Sequence, residues 1–187
     1  MRIAGGRLKG RRVPVVREQV RPTTERVREA LMSMLGPQWT TQTILDAYAG
    51  SGAFGFEAIS RGAQTVQFVE KNGRTADQIR QTAEVFGIES QVRIHRGDTL
   101  VVLKQLALHQ EVFDVLFFDP PYESVDWSAL LTLCLPLLAI DGLIVLEHSP
   151  TENVPETPEG LVLSDSRRYG SSAISVYGHV KRAEGSQ

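Results

Sequence analysis

The apolar positions of this chain come in short runs separated by longer mixed segments, and the two kinds alternate. The runs Thr43-Ile44-Leu45, Thr65-Val66-Gln67-Phe68-Val69, Gln91-Val92-Arg93-Ile94-His95, Val115-Leu116-Phe117-Phe118 and Leu143-Ile144-Val145-Leu146 read as strands. Segments 53–61 and 73–86 read as helices stopped by Gly62 and Gly87. The apolar stretch 100–108 and the strongly apolar segment 127–138 add two more. Pro150, Pro155 and Pro158 mark a loop, and 161–163 with 173–177 suggest a closing hairpin. Upstream, Gly5, Gly6 and Gly10 favour turns, and Val13-Pro14-Val15-Val16 could pair as a short strand. A helix over 25–35 follows, capped by Thr23 or Thr24. Strands alternating with helices predict an α/β fold, a mainly parallel sheet with helices on both faces. One domain accounts for 1–187, with a small β extension over 1–20.

The ends of the strand runs carry the chemistry. The run 115–118 ends in Asp119-Pro120-Pro121-Tyr122. Proline cannot donate to a sheet ladder, so the prolines stop the pairing and stiffen the turn. The Asp119 carboxylate and the Pro120 carbonyl remain as neighbouring acceptors, and Tyr122 adds a flat face. That set suits a planar ring bearing an exocyclic amine; the plainer reading is a tight loop whose Asp caps a helix.

After the run 43–45 comes Asp46-Ala47-Tyr48-Ala49-Gly50-Ser51-Gly52, and Gly50, Gly52 and Gly55 spell G-x-G-x-x-G between a strand and a helix. Such a loop lets backbone approach a ligand closely, and dinucleotide binding is the rival reading. Asp46, inside the strand end, suits a cationic ligand better than a pyrophosphate. Glu70 closes the next strand, where a carboxylate can take two ribose hydroxyls. Asp98 follows the third and could accept from an adenine amino group, cap the next helix, or do both. Four acids thus stand at the ends of four successive strand candidates, where open α/β sheets bind ligands.

Composition narrows the class. At 187 residues, 42% hydrophobic and 22% charged, the chain suits one globular domain with a real core. The longest apolar stretch, 130–140, is too short for a membrane span and contains Pro136. The first residues lack a secretory apolar core. The single Cys134 permits no internal disulfide, which fits a cytoplasmic setting. The four histidines are scattered without metal-ligand spacing, so no metal is expected. A net charge of −2 hides an asymmetry: residues 1–28 carry nine bases (Arg2, Arg7, Lys9, Arg11, Arg12, Arg17, Arg21, Arg26 and Arg28) against Glu18 and Glu25. A basic extension on an acidic body is the pattern of RNA docking.

Taken together, these residues resemble the Rossmann-like, S-adenosylmethionine-dependent methyltransferases, and more narrowly the RsmD family of 16S ribosomal RNA guanine-N2 methyltransferases. The narrower resemblance rests on Arg2-Ile3-Ala4-Gly5-Gly6, Lys9-Gly10-Arg11-Arg12 and 21–31, beginning Arg21-Pro22-Thr23-Thr24. It continues through Ala49-Gly50-Ser51-Gly52-Ala53, Ser60-Arg61-Gly62-Ala63, Phe68-Val69-Glu70-Lys71-Asn72 and Asp119-Pro120-Pro121-Tyr122. Tyr48 and Phe54 depart from it by apolar exchange, and Arg167-Arg168-Tyr169-Gly170 resembles a basic-Tyr-Gly turn of the family.

The resemblance implies a seven-stranded sheet with its last strand antiparallel. It implies a cofactor site of Asp46, Ala49, Gly50, Ser51, Gly52, Glu70, Lys71, Asp98, Thr99 and Asp119, and a catalytic set of Asp119, Pro120, Pro121 and Tyr122. RNA contacts are expected from Arg7, Lys9, Arg11, Arg12, Arg21, Thr23, Arg26, Arg168 and Tyr169; Arg21 and Thr23 could instead line the cofactor's methionine end. The expected partner is small-subunit ribosomal RNA in an assembling subunit, bound by a monomer. Asp119 and the Pro120 carbonyl would orient the amine and localise its lone pair, positioning counting for more than base catalysis. Two other readings stay open: an adenine-amino DNA methyltransferase, since Asp-Pro-Pro-Tyr also serves that chemistry, and a non-catalytic RNA-binding assembly protein.

Overall fold

In the computed structural model, residues 1–15, 23–36, 39, 42–121 and 125–180 are described, the side chains of 23–27 excepted. Helix α1 spans Thr23–Met34. Then follow β1 (Thr43–Ala47), α2 (Ala53–Arg61), β2 (Thr65–Glu70) and α3 (Gly73–Phe86). Next come β3 (Val92–Arg96), α4 (Thr99–Leu108), β4 (Phe113–Phe118) and α5 (Trp127–Cys134). Strands β5 (Leu138–His148), β6 (Leu161–Tyr169) and β7 (Ser172–His179) complete the sheet. The strand order is β3-β2-β1-β4-β5-β7-β6. Pairs from β3 through β5 are parallel, and β7 runs antiparallel to both neighbours, β5 and β6.

Alternation along the strands divides the core. Ile44, Val115 and Phe117 face a cluster with Leu31, Met32, Phe54, Phe56 and Ile79 from α1, α2 and α3. Leu45, Leu116 and Phe118 face the opposite cluster with Leu103, Leu106, Leu130 and Leu131 from α4 and α5. A side-chain period of two thus supplies each layer of helices with one apolar face of the sheet.

The helix ends obey local chemistry. Asn72 Oδ1 accepts from the backbone N–H groups of Arg74 (3.0 Å) and Thr75 (3.2 Å), starting α3. Asp98 and Asp126 cap α4 and α5 in the same way, at 3.1 and 2.9 Å.

Several boundaries differ from the sequence pattern; α1 already includes Thr23 and Thr24, the residues read as its cap, and ends at Met34. Segment 127–138 does not remain helical: α5 ends at Cys134, and a 3-10 turn over Leu135–Leu137 carries the chain into β5. Pro136 has no N–H with which to continue the helix. Strand β5 starts at Leu138 opposite Phe113, slips register, and resumes with Leu143 opposite Val115. Strand β6 runs through Arg167-Arg168-Tyr169, so the turn begins only at Gly170 (φ 61°). Its outer half lacks an apolar signal because β6 is an edge strand, where charge blocks pairing with other chains.

Among the described residues, the N-terminal extension forms one antiparallel bridge, between Arg2 and Arg12, with Ile3 N–H donating to the Arg11 carbonyl at 3.0 Å. Pro14 has no N–H to extend it, and Val16 lies outside the described residues. The extension is nonetheless docked. Ile3, Leu8 and Val13 are buried. Backbone N–H groups of Ala4 and Gly5 donate to the buried Glu57 carboxylate of α2 at 2.8 and 2.9 Å. Gly6 (φ 74°) lies so close to the Ser60 carbonyl that a Cβ would sit 1.8 Å from its oxygen.

Candidate functional site

Four acids mark the carboxyl ends of neighbouring strands. Asp46 lies within β1 opposite Phe117 of β4, while Glu70 closes β2. Asp98 follows β3, and Asp119 stands directly after β4. The parallel register brings these ends to one edge of the sheet.

Asp46 has the same parity as Ile44, so its side chain faces α2. There it is buried and accepts the Gly55 N–H at 2.9 Å. Burial strips water from this carboxyl and pushes its pKa well above the usual carboxyl range. The Gly55 hydrogen bond opposes that shift, and the charges of Asp119 and Glu70 reinforce it. The acids therefore bear on one another across the edge between β1, β2 and β4.

The loop after β1 takes backbone shapes that glycine allows. Gly50 and Gly52 have φ of 53° and 74°, and Tyr48 also has a positive φ, 60°. Ala49 N–H donates to the Val69 carbonyl at 3.0 Å, tying the loop to β2. Glu70 reinforces the tie: one carboxylate oxygen accepts the Gly50 N–H at 2.9 Å and the other the Asn72 N–H at 2.6 Å. Gly55 has a different reason to be glycine. A Cβ there would lie 2.4 Å from the Phe68 ring, so the third glycine lets α2 lie flat on β2.

Toward β3, Lys71 reaches Asp98 with its Nζ 3.6 Å from the carboxylate. Thr99 is buried and hydrogen-bonds the side chain of Tyr48, whose hydroxyl pKa is raised by burial. Ala49, Ser51, Asp119 and Pro120 are part-buried at the mouth of this edge, and Pro121 is exposed. Tyr122 lies outside the described residues.

The structure adds residues that the sequence pattern did not single out. Asp119, Pro120 and Pro121 share a small cleft with Val125, Trp127, Glu147, His148 and Glu152. Trp127 donates its indole N–H to Glu152 at 2.8 Å and packs edge-on to His148. His148 reaches the Ser149 carbonyl through Nδ1 and the Ser175 hydroxyl through Nε2, both at 2.8 Å. Glu147 stands at the end of β5, so the rule that picked out the other strand-end acids reaches it as well. Glu152 carried no such signal, because it sits in a loop.

The basic residues gather elsewhere. Arg7 bonds Gln91, at the foot of β3. Arg11 donates to the Val85 carbonyl and lies 5.3 Å over the Phe86 ring, at the far end of α3. Lys9 and Arg12 are exposed on the same extension. These four sit at the end of the sheet opposite the acids. Arg168 is exposed and reaches the Pro150 carbonyl at 3.3 Å, whereas the Tyr169 hydroxyl turns to Met34 of α1. Arg21 and the side chains of Thr23 and Arg26 lie outside the described residues. Among the described residues, no cluster of three or more His, Cys, Asp or Glu could hold a metal ion, and no helix is long and apolar enough to cross a membrane.

A sheet in this order, with β7 alone reversed and a glycine loop leading from β1 into α2, is the Rossmann-like methyltransferase architecture. The family described as Conserved hypothetical protein 95 matches residues 1–178. Ribosomal RNA small subunit methyltransferase D of Haemophilus influenzae is 32% identical over 180 residues, which cover 95% of this chain and 93% of that one. The chain belongs to this family, that of ribosomal RNA small subunit methyltransferase D. Among solved structures, yhhF from Escherichia coli superposes with a TM-score of 0.83 at 29% identity, covering 97% of this chain and 99% of that one. SMU.776, solved as a complex with SAH, shares the fold at a TM-score of 0.70 and 15% identity, covering 84% of this chain and 50% of that one.

Proposed function

We propose that this protein transfers a methyl group from S-adenosylmethionine to the exocyclic N2 amine of a guanine in small-subunit ribosomal RNA. The observation that carries the reading is the convergence at one sheet edge of Asp119 and Pro120 with the glycine loop and the acids of β1 and β2. Family membership supports the ribosomal RNA methyltransferase class.

The residues fit the cofactor. The backbone at Gly50 has no neighbour within ordinary contact of an added Cβ except the Tyr48 carbonyl at 4.0 Å, which leaves room for close approach. The acid-bearing edge suits a cationic ligand. Glu70 would take the ribose hydroxyls while staying tied to Gly50 and Asn72, and Asp98 would accept from the adenine amino group while still capping α4. Ala49, Ser51 and Gly52 would present backbone, with Lys71 and Thr99 at the rim. Bound there, S-adenosylmethionine supplies a methyl group already activated by its sulfonium.

The chain's own task is to orient a poor nucleophile. Asp119 and the Pro120 carbonyl accept the two N–H bonds of the amine and hold its lone pair out of conjugation with the ring. Pro121 stiffens the turn, and Tyr122 stacks on the base. The target base leaves its stack to enter.

Glu147 and Glu152 favour guanine over adenine as the acceptor. Guanine presents an N1–H donor beside its amine, whereas adenine presents the N1 lone pair. A second carboxylate beside Asp119 accepts from the former and repels the latter. The non-catalytic reading finds no such support, since binding alone does not require this set of acids.

The test is to incubate the protein with methyl-labelled S-adenosylmethionine and small ribosomal subunits from cells lacking the enzyme, then to identify the labelled nucleoside. N2-methylguanine is expected. Label in adenine, or no label with cofactor bound, overturns the reading. A monomer acting on an assembling subunit in the cytoplasm completes the proposal.

A further inference from the structure

The N-terminal extension and α3 enclose a groove of about 420 Å³ that lies outside the site described above. Its walls are Arg12 and Pro14 on one side and Arg74, Gln78, Gln81 and Val85 of α3 on the other, with Phe86 at its far end. Arg74 stands in the first turn of α3, just past Glu70 and Asn72, and so at the acid-bearing edge of the sheet. Phe86 ends the helix beside Arg11. At 1.5 Å per residue the groove therefore runs about 18 Å along α3, from the basic extension to the rim of the proposed active site. From there to β4 is two strands, about 10 Å.

The charges are placed for a polyanion. The extension offers Arg2, Arg7, Lys9, Arg11 and Arg12, with no acid among residues 1–15. At the other end, the Arg96 guanidinium lies against Gly73, beside Arg74. The acid in the lining, Asp77, is neutralised by Arg80 at 2.7 Å. Between the basic ends stand the Gln78 and Gln81 amides, which can donate to phosphate or sugar oxygens.

We infer that this groove is a binding track for single-stranded RNA, which holds a segment next to the target nucleotide while another part of the molecule enters the cleft at Asp119. This rests on RNA being the substrate. It assigns to α3 a docking role and gives the extension, remote from the acids, a physical connection to them.

The test is binding of a fluorescein-labelled single-stranded RNA oligonucleotide of mixed sequence, by anisotropy without cofactor, to the full chain and to Arg12→Glu, Arg74→Glu and Lys104→Glu. Lys104 is exposed on α4, across the sheet, and serves as the charge-matched control. Arg74→Glu places an acid in the first turn of a helix, where the dipole favours it, so the fold is expected to survive. The groove variants should each weaken binding several-fold and lower the salt slope by about one, with Lys104→Glu near the parent. Equal losses in all three variants, unchanged affinity in Arg12→Glu and Arg74→Glu, or no RNA binding by the parent would overturn the inference. Because no methyl transfer is measured, failure of the proposed reaction would leave this result standing, and the reverse also holds.

Discussion

Asp46 is an acid that the fold keeps from water at a cost. Its pKa is raised, so over the window between its unfolded and folded values the folded state holds the proton. The folded state then binds more protons than the unfolded one, and stability falls as pH rises through that window. Asp46→Asn removes the titration and keeps an oxygen for the Gly55 N–H. Chemical denaturation should show the variant gaining on the parent as pH rises above the ordinary carboxyl range, with little difference below it. If the difference is flat with pH, burial is not what controls this group. Asp119 is expected to behave otherwise. Asp119→Ala should lower methyl transfer by about 10²–10³-fold, the size of losing a positioned acceptor, while calorimetry finds cofactor still bound. Full activity in that variant would remove the role assigned to it.

At the scale of elements, the third glycine of the motif acts on packing more than on any ligand. In Gly55→Ala the new methyl meets the Phe68 ring and Val66, so α2 must lift from β2. Overpacking of this kind costs about 1–3 kcal/mol, measurable as a lower denaturation midpoint. The shift also moves the Gly55 N–H that Asp46 accepts, so cofactor affinity should drop with stability. A variant that loses neither would mean that the helix has slack the packing does not show.

At the scale of the whole molecule, the extension is tied to α2 through Ser60 and the buried Glu57 carboxylate. Glu57 accepts from Ala4, Gly5 and Arg61, and Arg28 lies at 4.0 Å. Glu57→Ala leaves these donors unanswered and should cost roughly 3–5 kcal/mol. Glu57→Gln, which keeps one acceptor oxygen, should cost less. Limited proteolysis would then cut the extension first, and RNA affinity should fall before cofactor affinity does. Loss of both together would mean that the extension and the site are one cooperative unit.

The sequence by itself determined the elements and the positions of the acids. Helix α2 and helix α3 have the limits their stop glycines imply, and Asp46, Glu70, Asp98 and Asp119 stand at strand ends as the runs before them required. These are local facts, written in side-chain periods, caps and the missing N–H of proline. Tertiary structure decided what no local signal carries. The start of β5 at Leu138 depends on pairing with Phe113, and the outer half of β6 on a neighbour that tolerates charge at an edge. Glu152 joins the cleft through the Trp127 indole, 25 residues away in the chain, and through a local turn with Ser149. The extension, legible as basic, lies at the far end of the sheet from the acids because Glu57 and Ser60 draw its backbone onto α2. Contacts between residues distant in the chain depend on how its faces meet, and the order of residues along one strand or helix does not record that.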